Sequence, residues 1–430
     1  MTYSQVKGAI KKKRATVGVI GLGYVGIPTI LAMTKAGIKV IGVDINKERV
    51  KSLAAGKSFI VEIPDSDIKA ALKKFTPTIN WPELKKAGVI LITVPTPLTK
   101  NKTPDTTAIE AAGKRIAQNL KKDTLVILES TTYPGTTEEL LKPILEKSGL
   151  VAGKDFYLAF APERIDPGNK KFLFADITKV VGGINQKSTD LAHLFYSTFL
   201  KNVHKVSSPR AAEMTKLLEN IFRLVNISLV NELKLLSDQM GIDFWEVIEA
   251  AKTKPFGFMA FYPGPGVGGH CIPLDPFYLS WKARSLNFFT RFIDLAGEIN
   301  ELMPHTVVTR IIYGLNKHKK SVRGSKILVL GVAYKKDVDD PRESPAIEII
   351  WDLLRKGGEV IYNDPYIPEL KVNDHILKSV PLSNKLVKDA DCVVVIAGHS
   401  AYDYANVAKT AKLVVDTRNA VKERRPNVIK

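Results

Sequence analysis

Short apolar runs alternate with amphipathic segments through the first half of the chain. Residues 16–50 fit a strand, a glycine-rich turn, a helix and a second strand, and the first strand is a continuous apolar run. Such a run is typical of a strand buried on both faces of a parallel sheet. Comparable strands are expected within residues 88–97, 124–131 and 155–164, with helices between them. This alternation predicts an open, mostly parallel sheet.

A helical region interrupts the alternation, which then returns. A helical period begins at Ser208 and ends at Gly241, a second helical stretch covers about residues 285–318, and strands alternate with helices again from Lys326 onward. The second alternating part lacks the full glycine fingerprint of the first. We therefore expect an α/β protein: two Rossmann-like, doubly wound parallel-sheet domains joined by a helical middle region with a long central helix. The expected domain boundaries are residues 1–207, 208–318 and 319–430.

Composition supports a globular enzyme-sized chain. At 430 residues the chain exceeds what one core holds, so two or three domains are expected. No apolar run reaches the 18 residues that suggest a membrane span, and the basic start lacks the apolar segment of a signal peptide. The chain has only two cysteines, far apart, which argues against a disulfide framework and favours the cytoplasm.

The formal charge of +19 raises the alternative of nucleic-acid binding. The lysines, however, are dispersed, with only short clusters such as residues 11–14, and no nucleic-acid motif is present. We therefore expect a lysine-rich solvated surface, with no nucleic-acid partner and no membrane partner.

A dinucleotide fingerprint follows the first predicted strand. Gly21, Gly23 and Gly26 form G-x-G-x-x-G at the point where a helix opens. The first glycine permits the tight turn, the second lets the backbone approach a pyrophosphate, and the third lets helix and strand pack closely. Asp44, 23 residues past Gly21, can accept hydrogen bonds from both ribose hydroxyls and would repel a 2′-phosphate. NAD is therefore favoured over NADP, and the alternative for Asp44 is a helix cap.

Cys271 lies in an unusual loop. Residues 261–279 hold four glycines and four prolines, so this cysteine cannot occupy a regular apolar face, unlike Cys392, which fits a buried, inert hydrophobe. Gly268 and its neighbour can expose N–H groups beside the sulfur, and the N-terminus of a short helix expected at residues 276–284 would favour a thiolate. Beside an NAD site, this suggests a covalent nucleophile that oxidises an aldehyde through a thiohemiacetal and a thioester.

Two further polar groups mark the long helix. Lys216 and Asn220 are four residues apart, so they project from one face of a helix that is otherwise strongly apolar. Such groups need partners, which an active-site cleft supplies. His270 is interpreted as a hydrogen-bonding loop residue, and the seven histidines show no metal-ligand spacing, so no metal is expected.

Eight segments, in order, carry a family resemblance: GLGYVG, VPTP, ESTTYPGTTE, APERIDPG, EMTKLLEN, GPGVGGHCIPLDP, AYKKDVDDPRESP and DTRN. From Val17 to Arg418 the chain resembles the UDP-sugar 6-dehydrogenases, which oxidise a C6 alcohol to a uronic acid with two NAD. Residues 254–284 are particularly similar to the branch acting on UDP-N-acetylhexosamines, above all UDP-N-acetylglucosamine and then UDP-N-acetylmannosamine. The resemblance implies an N-terminal NAD-binding domain, a central dimerisation region with the cysteine loop, and a C-terminal UDP-sugar domain. It also implies a homodimer through the central helix.

The resemblance implies roles for individual residues. In catalysis, Cys271 is the nucleophile, Lys216 stabilises the oxyanion or moves the C6 proton, and Asn220 donates to the same oxygen. Asp275 orients a water, Thr131 holds a water, and Glu163 is the base of thioester hydrolysis. The candidate NAD contacts are Gly21, Gly23, Tyr24, Val25, Gly26, Asp44, Arg49, Thr96, Thr131 and Arg342. The candidate substrate contacts are Glu163, Arg164, Ile165, Lys216, Asn220, Arg223, Lys254, Phe261, Tyr262, Gly268, Lys335 and Arg418.

Two departures disfavour UDP-glucose as the substrate. UDP-glucose members carry a second glutamate where this chain has Pro167, and a partner-subunit arginine where the nearest basic residue here is Lys254. A UDP-glucose 6-dehydrogenase remains one alternative. A two-electron dehydrogenase of the hydroxyacid type is another, although it does not explain the third, Rossmann-like region. A non-enzymatic NAD-sensing or nucleic-acid-binding protein is a further alternative, which does not explain Cys271, Lys216 and Asn220 together.

Overall fold

The computed structural model describes residues 3–60, 63–99, 101–165 and 174–430. The chain divides into two compact units: the first holds Met1–Glu219 and Trp281–Phe288, and the second holds Asn220–Ser280 and Phe289–Lys430.

The first unit contains a sheet covered by helices. Its strands are β1 (Val17–Ile20), β2 (Val40–Val43), β3 (Phe75–Thr78), β4 (Val89–Ile92), β5 (Leu125–Leu128), β6 (Tyr157–Phe160), β7 (Lys179–Gly183) and β8 (Val203–Lys205). Its helices are α1 (Tyr3–Lys11), α2 (Gly26–Lys35), α3 (Lys47–Ala54), α4 (Asp65–Ala71), α5 (Thr107–Ala117), α6 (Lys142–Glu146) and α7 (Gln186–Tyr196), with shorter helical turns at Trp81–Lys86, Thr136–Leu141 and Phe174–Asp176.

The strand order of this sheet is β3-β2-β1-β4-β5-β6-β7-β8. All described pairs are parallel except β6 with β7, where Phe160 lies opposite Gly182. Every residue of β1, β2, β4, β5 and β6 is buried, as expected for strands covered by helices on both faces. The chain runs outward to β3 on one side of β1 and returns on the other side at β4. Ligands of such sheets bind where the strand order reverses, at the carboxyl ends of the strands.

The second unit also contains a parallel sheet, which is smaller than that of the first unit. Its strands are β9 (Lys326–Leu330), β10 (Glu359–Asn363), β11 (Glu369–Val372), β12 (His375–Lys378), β13 (Cys392–Val395), β14 (Val414–Asp416) and β15 (Val428–Ile429). The parallel sheet has the order β10-β9-β13-β14-β15, and β11 and β12 form a separate antiparallel pair. The order reverses between β9 and β13, so the loops after these two strands form the edge at which a ligand is expected.

Helices complete the second unit. They are α8 (Pro209–Gln239), α9 (Phe244–Lys252), α10 (Asp275–Arg284), α11 (Arg291–Lys317), α12 (Pro345–Arg355), α13 (Asn384–Asp389) and α14 (Tyr404–Thr410), of which α8 and α10 also extend into the first unit. With two parallel sheets and the long helices α8 and α11, the predicted α/β class with two Rossmann-like sheets and a long central helix is confirmed. In the part of the chain that the structure describes, no helix is long and apolar enough to cross a membrane.

Candidate active site

The glycine turn after β1 has the geometry that a dinucleotide needs. Gly21 has a φ of +97°, which favours glycine, and its N–H donates to Val43 O at 2.9 Å. The Gly21 carbonyl accepts a hydrogen bond from the Thr93 hydroxyl at 2.7 Å. A Cβ on Gly26 would lie 2.1 Å from that same carbonyl oxygen, so a side chain has no room where α2 begins. Local packing therefore requires glycine at both positions.

Gly23 is different, because no atom lies within 4 Å of the place where its Cβ would be. Packing therefore does not require glycine at this position, and the absence of a side chain keeps the space beside the turn open. That space, in front of the N-terminus of α2, is where a pyrophosphate would approach the backbone. The residues present thus fit NAD, and Tyr24, which is exposed, and Val25 complete the turn.

Asp44 follows β2 directly and is 5% exposed. Its Oδ2 accepts the Leu22 N–H at 2.8 Å and pairs with Arg49 at 3.0 Å, and its Oδ1 accepts the Asn46 N–H at 2.8 Å. The cap of α3 is Asn46, which accepts the Arg49 N–H, so the helix-cap alternative for Asp44 is wrong. A fixed carboxylate beside the glycine turn suits a ribose with two free hydroxyls.

Thr96 and Thr131 lie on the loops after β4 and β5, at the same carboxyl edge of the sheet. The Thr96 hydroxyl donates to the Thr131 carbonyl at 2.8 Å, which joins the two loops. This hydrogen bond uses the Thr131 carbonyl and not its hydroxyl, so the hydroxyl can bind a water or a ligand.

Glu163 and Arg164 follow β6 in the first unit. The Glu163 carboxylate accepts the N–H groups of Arg164 and Ile165 at 2.7 and 2.8 Å, and the Lys179 ammonium at 2.9 Å. Arg164 pairs with Glu219, so its guanidinium is already engaged in this structure. The next residues of the APERIDPG segment, Pro167 included, lie outside the described residues.

Lys216 projects from α8 in the first unit and is 6% exposed. In the described ranges of the chain, its ammonium forms no hydrogen bond and no ion pair, and it is not one of the residues with further contacts. The aliphatic part of the side chain is buried, but in the described residues the ammonium is not one of the buried polar atoms that lack a hydrogen-bond partner, so it keeps access to solvent. An oxygen of a bound ligand would supply the missing partner.

The second unit holds the cysteine loop. Cys271 is half-buried, and its carbonyl accepts the Asp275 N–H at 2.8 Å and the Leu274 N–H at 3.2 Å, which places Cys271 one turn before α10. The expected helix after the cysteine is thereby confirmed. Cys392 lies fully buried in β13, and burial raises the pKa of its thiol, as expected for an inert cysteine.

Asn220, Arg223 and Asp275 form a chain of contacts in the second unit. Asn220 donates from Nδ2 to Asp275 Oδ2 at 2.5 Å, and its Oδ1 accepts from Arg223. The two contacts fix which end of the amide carries the N–H groups. The second N–H of Nδ2 is not used by these two contacts, and Asn220 is fully buried in this structure.

The cysteine loop packs against the loop that follows β9. The Gly269 N–H donates to the Arg342 carbonyl at 3.0 Å, and Arg342 Nη2 donates to His270 Nδ1 at 3.3 Å, so His270 is the predicted hydrogen-bonding loop residue. A Cβ on Gly268 would lie 2.6 Å from Glu343 O, so the two backbones touch only because this residue is glycine. The loop after β9 also carries Lys335, at the edge where the strand order reverses.

Arg418 follows β14 and approaches the same loop. Its Nε donates to Ile396 O at 2.8 Å, and its Nη1 lies 2.4 Å from the place of a Cβ on Gly264. Burial lowers the pKa of Arg418 to about 10, and Asp416 offsets part of this effect, so the guanidinium is charged at neutral pH. Within the residues described, no carboxylate forms an ion pair with it. An anionic ligand such as a diphosphate would neutralise this cation.

The remaining candidates lie nearer the surface of the second unit. Phe261 packs edge-on against Phe222 with ring centroids 5.7 Å apart, and the Tyr262 hydroxyl donates to Glu249 at 2.7 Å. Lys254 is exposed, with its ammonium 5.1 Å from the Phe256 ring. Phe261 and Tyr262 are thus held at the start of the cysteine loop, whereas Lys254 lies at the surface before it.

Sequence reasoning missed three buried charged residues. Glu129 and Lys179 belong to the ionic cluster around Glu163, and Glu213 accepts the N–H groups of Gly135 and Thr137 at 2.6 and 2.9 Å. The only signal in the sequence is that Lys179 opens a run of small and apolar residues that forms a buried strand. Among the described residues, no group of three or more His, Cys, Asp or Glu could hold a metal ion.

Comparison with known proteins agrees with this arrangement. The chain matches three domains of the UDP-glucose/GDP-mannose dehydrogenase family: the NAD binding domain over residues 15–200, the central domain over 210–302 and the UDP binding domain over 328–423.

Individual relatives match over most of their length. The chain is 38% identical over 357 residues to a UDP-N-acetyl-D-glucosamine 6-dehydrogenase of Pseudomonas aeruginosa, over 83% of this chain and 84% of that protein. The solved structure of the UDP-D-ManNAc dehydrogenase from Pyrococcus horikoshii matches with a TM-score of 0.86 at 34% identity, over 96% of this chain and 98% of that one. A UDP-glucose dehydrogenase from Pyrobaculum islandicum matches with a TM-score of 0.83 at 27% identity, over 95% of each chain. The chain therefore belongs to the UDP-glucose/GDP-mannose dehydrogenase family and is an NAD-dependent UDP-sugar 6-dehydrogenase that produces uronic acids.

Proposed function

We propose that the substrate is a UDP-N-acetylhexosamine, with UDP-N-acetylglucosamine first and UDP-N-acetylmannosamine second. The proposal is supported by the names of the relatives above, since the UDP-N-acetylhexosamine enzymes share 34–38% identity with this chain and the UDP-glucose enzyme shares 27%. It is also supported by Pro167 and Lys254, which differ from the UDP-glucose pattern. The preference for one C2 epimer rests on the resemblance of residues 254–284 alone.

The observation that carries the chemistry is Lys216, a largely buried side chain whose ammonium forms no ion pair within the described residues. In the proposed mechanism it stabilises the C6 oxygen as that oxygen loses its proton, and Asn220 donates an amide N–H to the same oxygen. NAD, held at the glycine turn and Asp44, supplies the acceptor for hydride in both oxidations.

Cys271 makes the second oxidation feasible. Its sulfur adds to the C6 aldehyde carbon, so a C–S bond forms and the carbonyl oxygen becomes a thiohemiacetal hydroxyl. Oxidation of that carbon leaves a thioester, which a water held by Thr131 and oriented by Asp275 then hydrolyses. Glu163 takes the proton of that water. The cycle needs a reduced thiol, which supports the cytoplasmic location expected from the sequence.

A second copy of this chain is proposed as the partner. Exposed apolar side chains recur at helical spacing along α8: Met214, Leu218, Phe222, Leu229, Leu233, Leu236 and Met240 follow one face to the end of the helix. Two copies of one such stripe are self-complementary about a two-fold axis. We expect a dimer by light scattering and a monomer for Leu233→Glu, with Glu232→Gln as the control. A monomeric unaltered protein would contradict the proposal.

The substrate test is an endpoint titration. Purified protein with excess NAD receives a limiting amount of UDP-N-acetylglucosamine, UDP-N-acetylmannosamine or UDP-glucose, and NADH is followed to completion. We expect the unaltered enzyme to release two NADH per sugar with one of the N-acetylhexosamines. Cys271→Ala should release no second NADH, because without the thiol the aldehyde is not oxidised further. One NADH per sugar would mean two-electron chemistry, and turnover of UDP-glucose alone would overturn the proposed substrate class.

A further inference from the structure

A buried ionic cluster in the first unit joins four elements of the sheet layer. Lys179 opens β7 and pairs with Glu163, after β6, at 2.9 Å and with Glu129, after β5, at 3.4 Å. Tyr196, on α7, donates its hydroxyl to Glu129 Oε1, and its ring lies 5.1 Å from the Lys179 ammonium. Lys179 is 4% exposed, Glu129 is 1% exposed and Tyr196 is fully buried.

The two carboxyl groups of this cluster are not equivalent. Burial raises the pKa of Glu129, and the charge of Lys179 only partly offsets this effect. Burial also opposes ionisation of Glu163, but Lys179 and the N–H groups of Arg164 and Ile165 outweigh it and lower its pKa. Burial alone would lower the pKa of Lys179, but Glu129 and Glu163 raise it, so its ammonium stays charged. Glu163 is therefore the carboxylate that the cluster keeps ionised.

The same contacts determine how Glu163 points. Its Oε1 accepts both backbone N–H groups, and its Oε2 accepts Lys179, which leaves acceptor capacity on Oε2. The turn itself is fastened to the start of β7, because Arg164 donates to the Thr178 carbonyl at 2.6 Å. Glu219, on α8, holds the other side of Arg164. Lys179 is thus fixed by a rigid strand, and Glu163 is fixed by Lys179.

We propose that Lys179, held in place by Glu129 and Tyr196, is a positioning residue that orients Glu163 and keeps it ionised as the base of thioester hydrolysis. The inference rests on the proposed function, in which Glu163 is that base. In the step concerned, a water oxygen bonds to the thioester carbon, and Glu163 Oε2 takes one proton of that water. The C–S bond then breaks, sulfur leaves as the thiolate, and the uronic acid releases its remaining proton to solvent.

The perturbation is Lys179→Met, which keeps the length of the side chain and removes its charge. Both oxidations precede hydrolysis, so we expect the variant to release two NADH per active site in a burst and then to turn over slowly. The acyl-enzyme on Cys271 should be visible by mass spectrometry of the quenched protein. The acid limb of the hydrolysis rate should move to higher pH by roughly one to three units, because Glu163 loses its nearest cation.

Three further variants distinguish a positioning role of Lys179 from a general loss of structure. Lys179→Arg keeps the charge and should restore most of the hydrolysis rate. Glu129→Gln should leave the acid limb in place or move it to lower pH, the opposite of Lys179→Met, whereas a cluster with only a structural role would shift both the same way. Lys205→Met removes the exposed Lys205–Asp190 pair on the neighbouring strand and should change nothing in the pH profile.

The outcomes distinguish the two proposals. If the unaltered enzyme releases one NADH per sugar, the proposed four-electron function fails, and this inference fails with it. If the unaltered enzyme releases two NADH but Lys179→Met keeps its pH profile and accumulates no acyl-enzyme, the inference alone is overturned. The same holds if Lys179→Met slows hydrolysis as much in a Glu163→Gln background as in the unaltered enzyme. Should Lys179→Met not fold, an upward shift of the acid limb in Glu129→Gln would refute the inference.

Discussion

The first and third glycines after β1 serve packing, and the second serves the cofactor, so two alanine substitutions three residues apart should fail in different ways. Gly26→Ala places a Cβ 2.1 Å from Gly21 O and 2.9 Å from the Thr93 hydroxyl. Gly23→Ala places a Cβ where no atom lies within 4 Å. We expect the first variant to lose stability and the second to lose NAD.

The magnitudes follow from these distances. Relieving the overlap at Gly26 requires a backbone shift, and overpacking of this kind costs about 1–3 kcal/mol. For a unit of this size that corresponds to a fall of roughly 2–12 °C in the thermal midpoint. Gly23 does not have a positive φ, so alanine there should be neutral or stabilise by about 0.4–1 kcal/mol. Loss of one hydrogen bond to a charged pyrophosphate costs about 1.5–3 kcal/mol, or roughly 10- to 150-fold in Kd.

The assay pairs two measurements on protein freed of NAD: the thermal midpoint, and the Kd for NAD by titration calorimetry. Gly8→Ala is the matched control, because its Cβ also meets nothing within 4 Å and α1 has no proposed cofactor contact. If Gly23→Ala lowers the midpoint as much as Gly26→Ala, the space beside Gly23 does not exist in solution. If it binds NAD with unchanged Kd, the pyrophosphate does not approach this turn.

Four further predictions concern charge and thiol chemistry. Asp44→Asn should weaken NAD and strengthen NADP binding, changing their Kd ratio by roughly 10- to 100-fold in calorimetry, because the neutral amide no longer repels a 2′-phosphate. Iodoacetamide should alkylate Cys271 in the native protein and Cys392 only after unfolding, as read by peptide mass spectrometry, because Cys392 is buried and its pKa is raised. Burial opposes ionisation of Asp391, but its lysine partners outweigh it and lower its pKa to about 2, so its stabilisation should be lost as pH falls from about 4 to 2. Asp391→Asn should remove about 1 kcal/mol of that pH dependence in acid unfolding, after allowance for solvent screening. Lys216→Met should abolish NADH release while changing the thermal midpoint little, since its ammonium forms no ion pair within the described residues and its proposed role is in the reaction.

The regular strands and helices could be predicted because the burial of each element determines its pattern of apolar residues. Four-residue apolar strands such as β1 and β4 fit burial on both faces, and their alternation with helices favours a parallel sheet, so the class follows from the pattern. The antiparallel pairing of β7 was not predictable, because direction depends on where a connection crosses the sheet. The hairpin of β11 and β12 was also missed, because each strand has only four residues and β12 does not alternate, although β11 alternates exposed and buried residues.

Some residues of the candidate site could be predicted from the sequence, and others could not. The glycine turn, Asp44 and the cysteine loop were visible because unusual backbone chemistry leaves a local signature in the sequence. Lys179 and Glu129 were not, because a lysine that opens a strand looks the same whether it meets water or two carboxylates. Ion pairing is a long-range property, and Glu129 and Lys179 are brought together only by the order of β5, β6 and β7.

Buried cations indicate where a ligand is needed. Lys179 is buried and Arg164 is partly exposed, and both are neutralised by carboxylates of the chain, so each pair is complete without any ligand. Lys216 and Arg418 have no ion pair in the part of the chain that the structure describes, and burial lowers the pKa of Arg418. Folding alone gives no reason to keep such groups, because an apolar side chain of the same volume would be at least as stable. Their cost is offset only when an anion or a developing oxyanion is bound. The distribution of cations without an ion pair therefore favours binding and catalysis by Lys216 and Arg418 and a supporting role for Lys179.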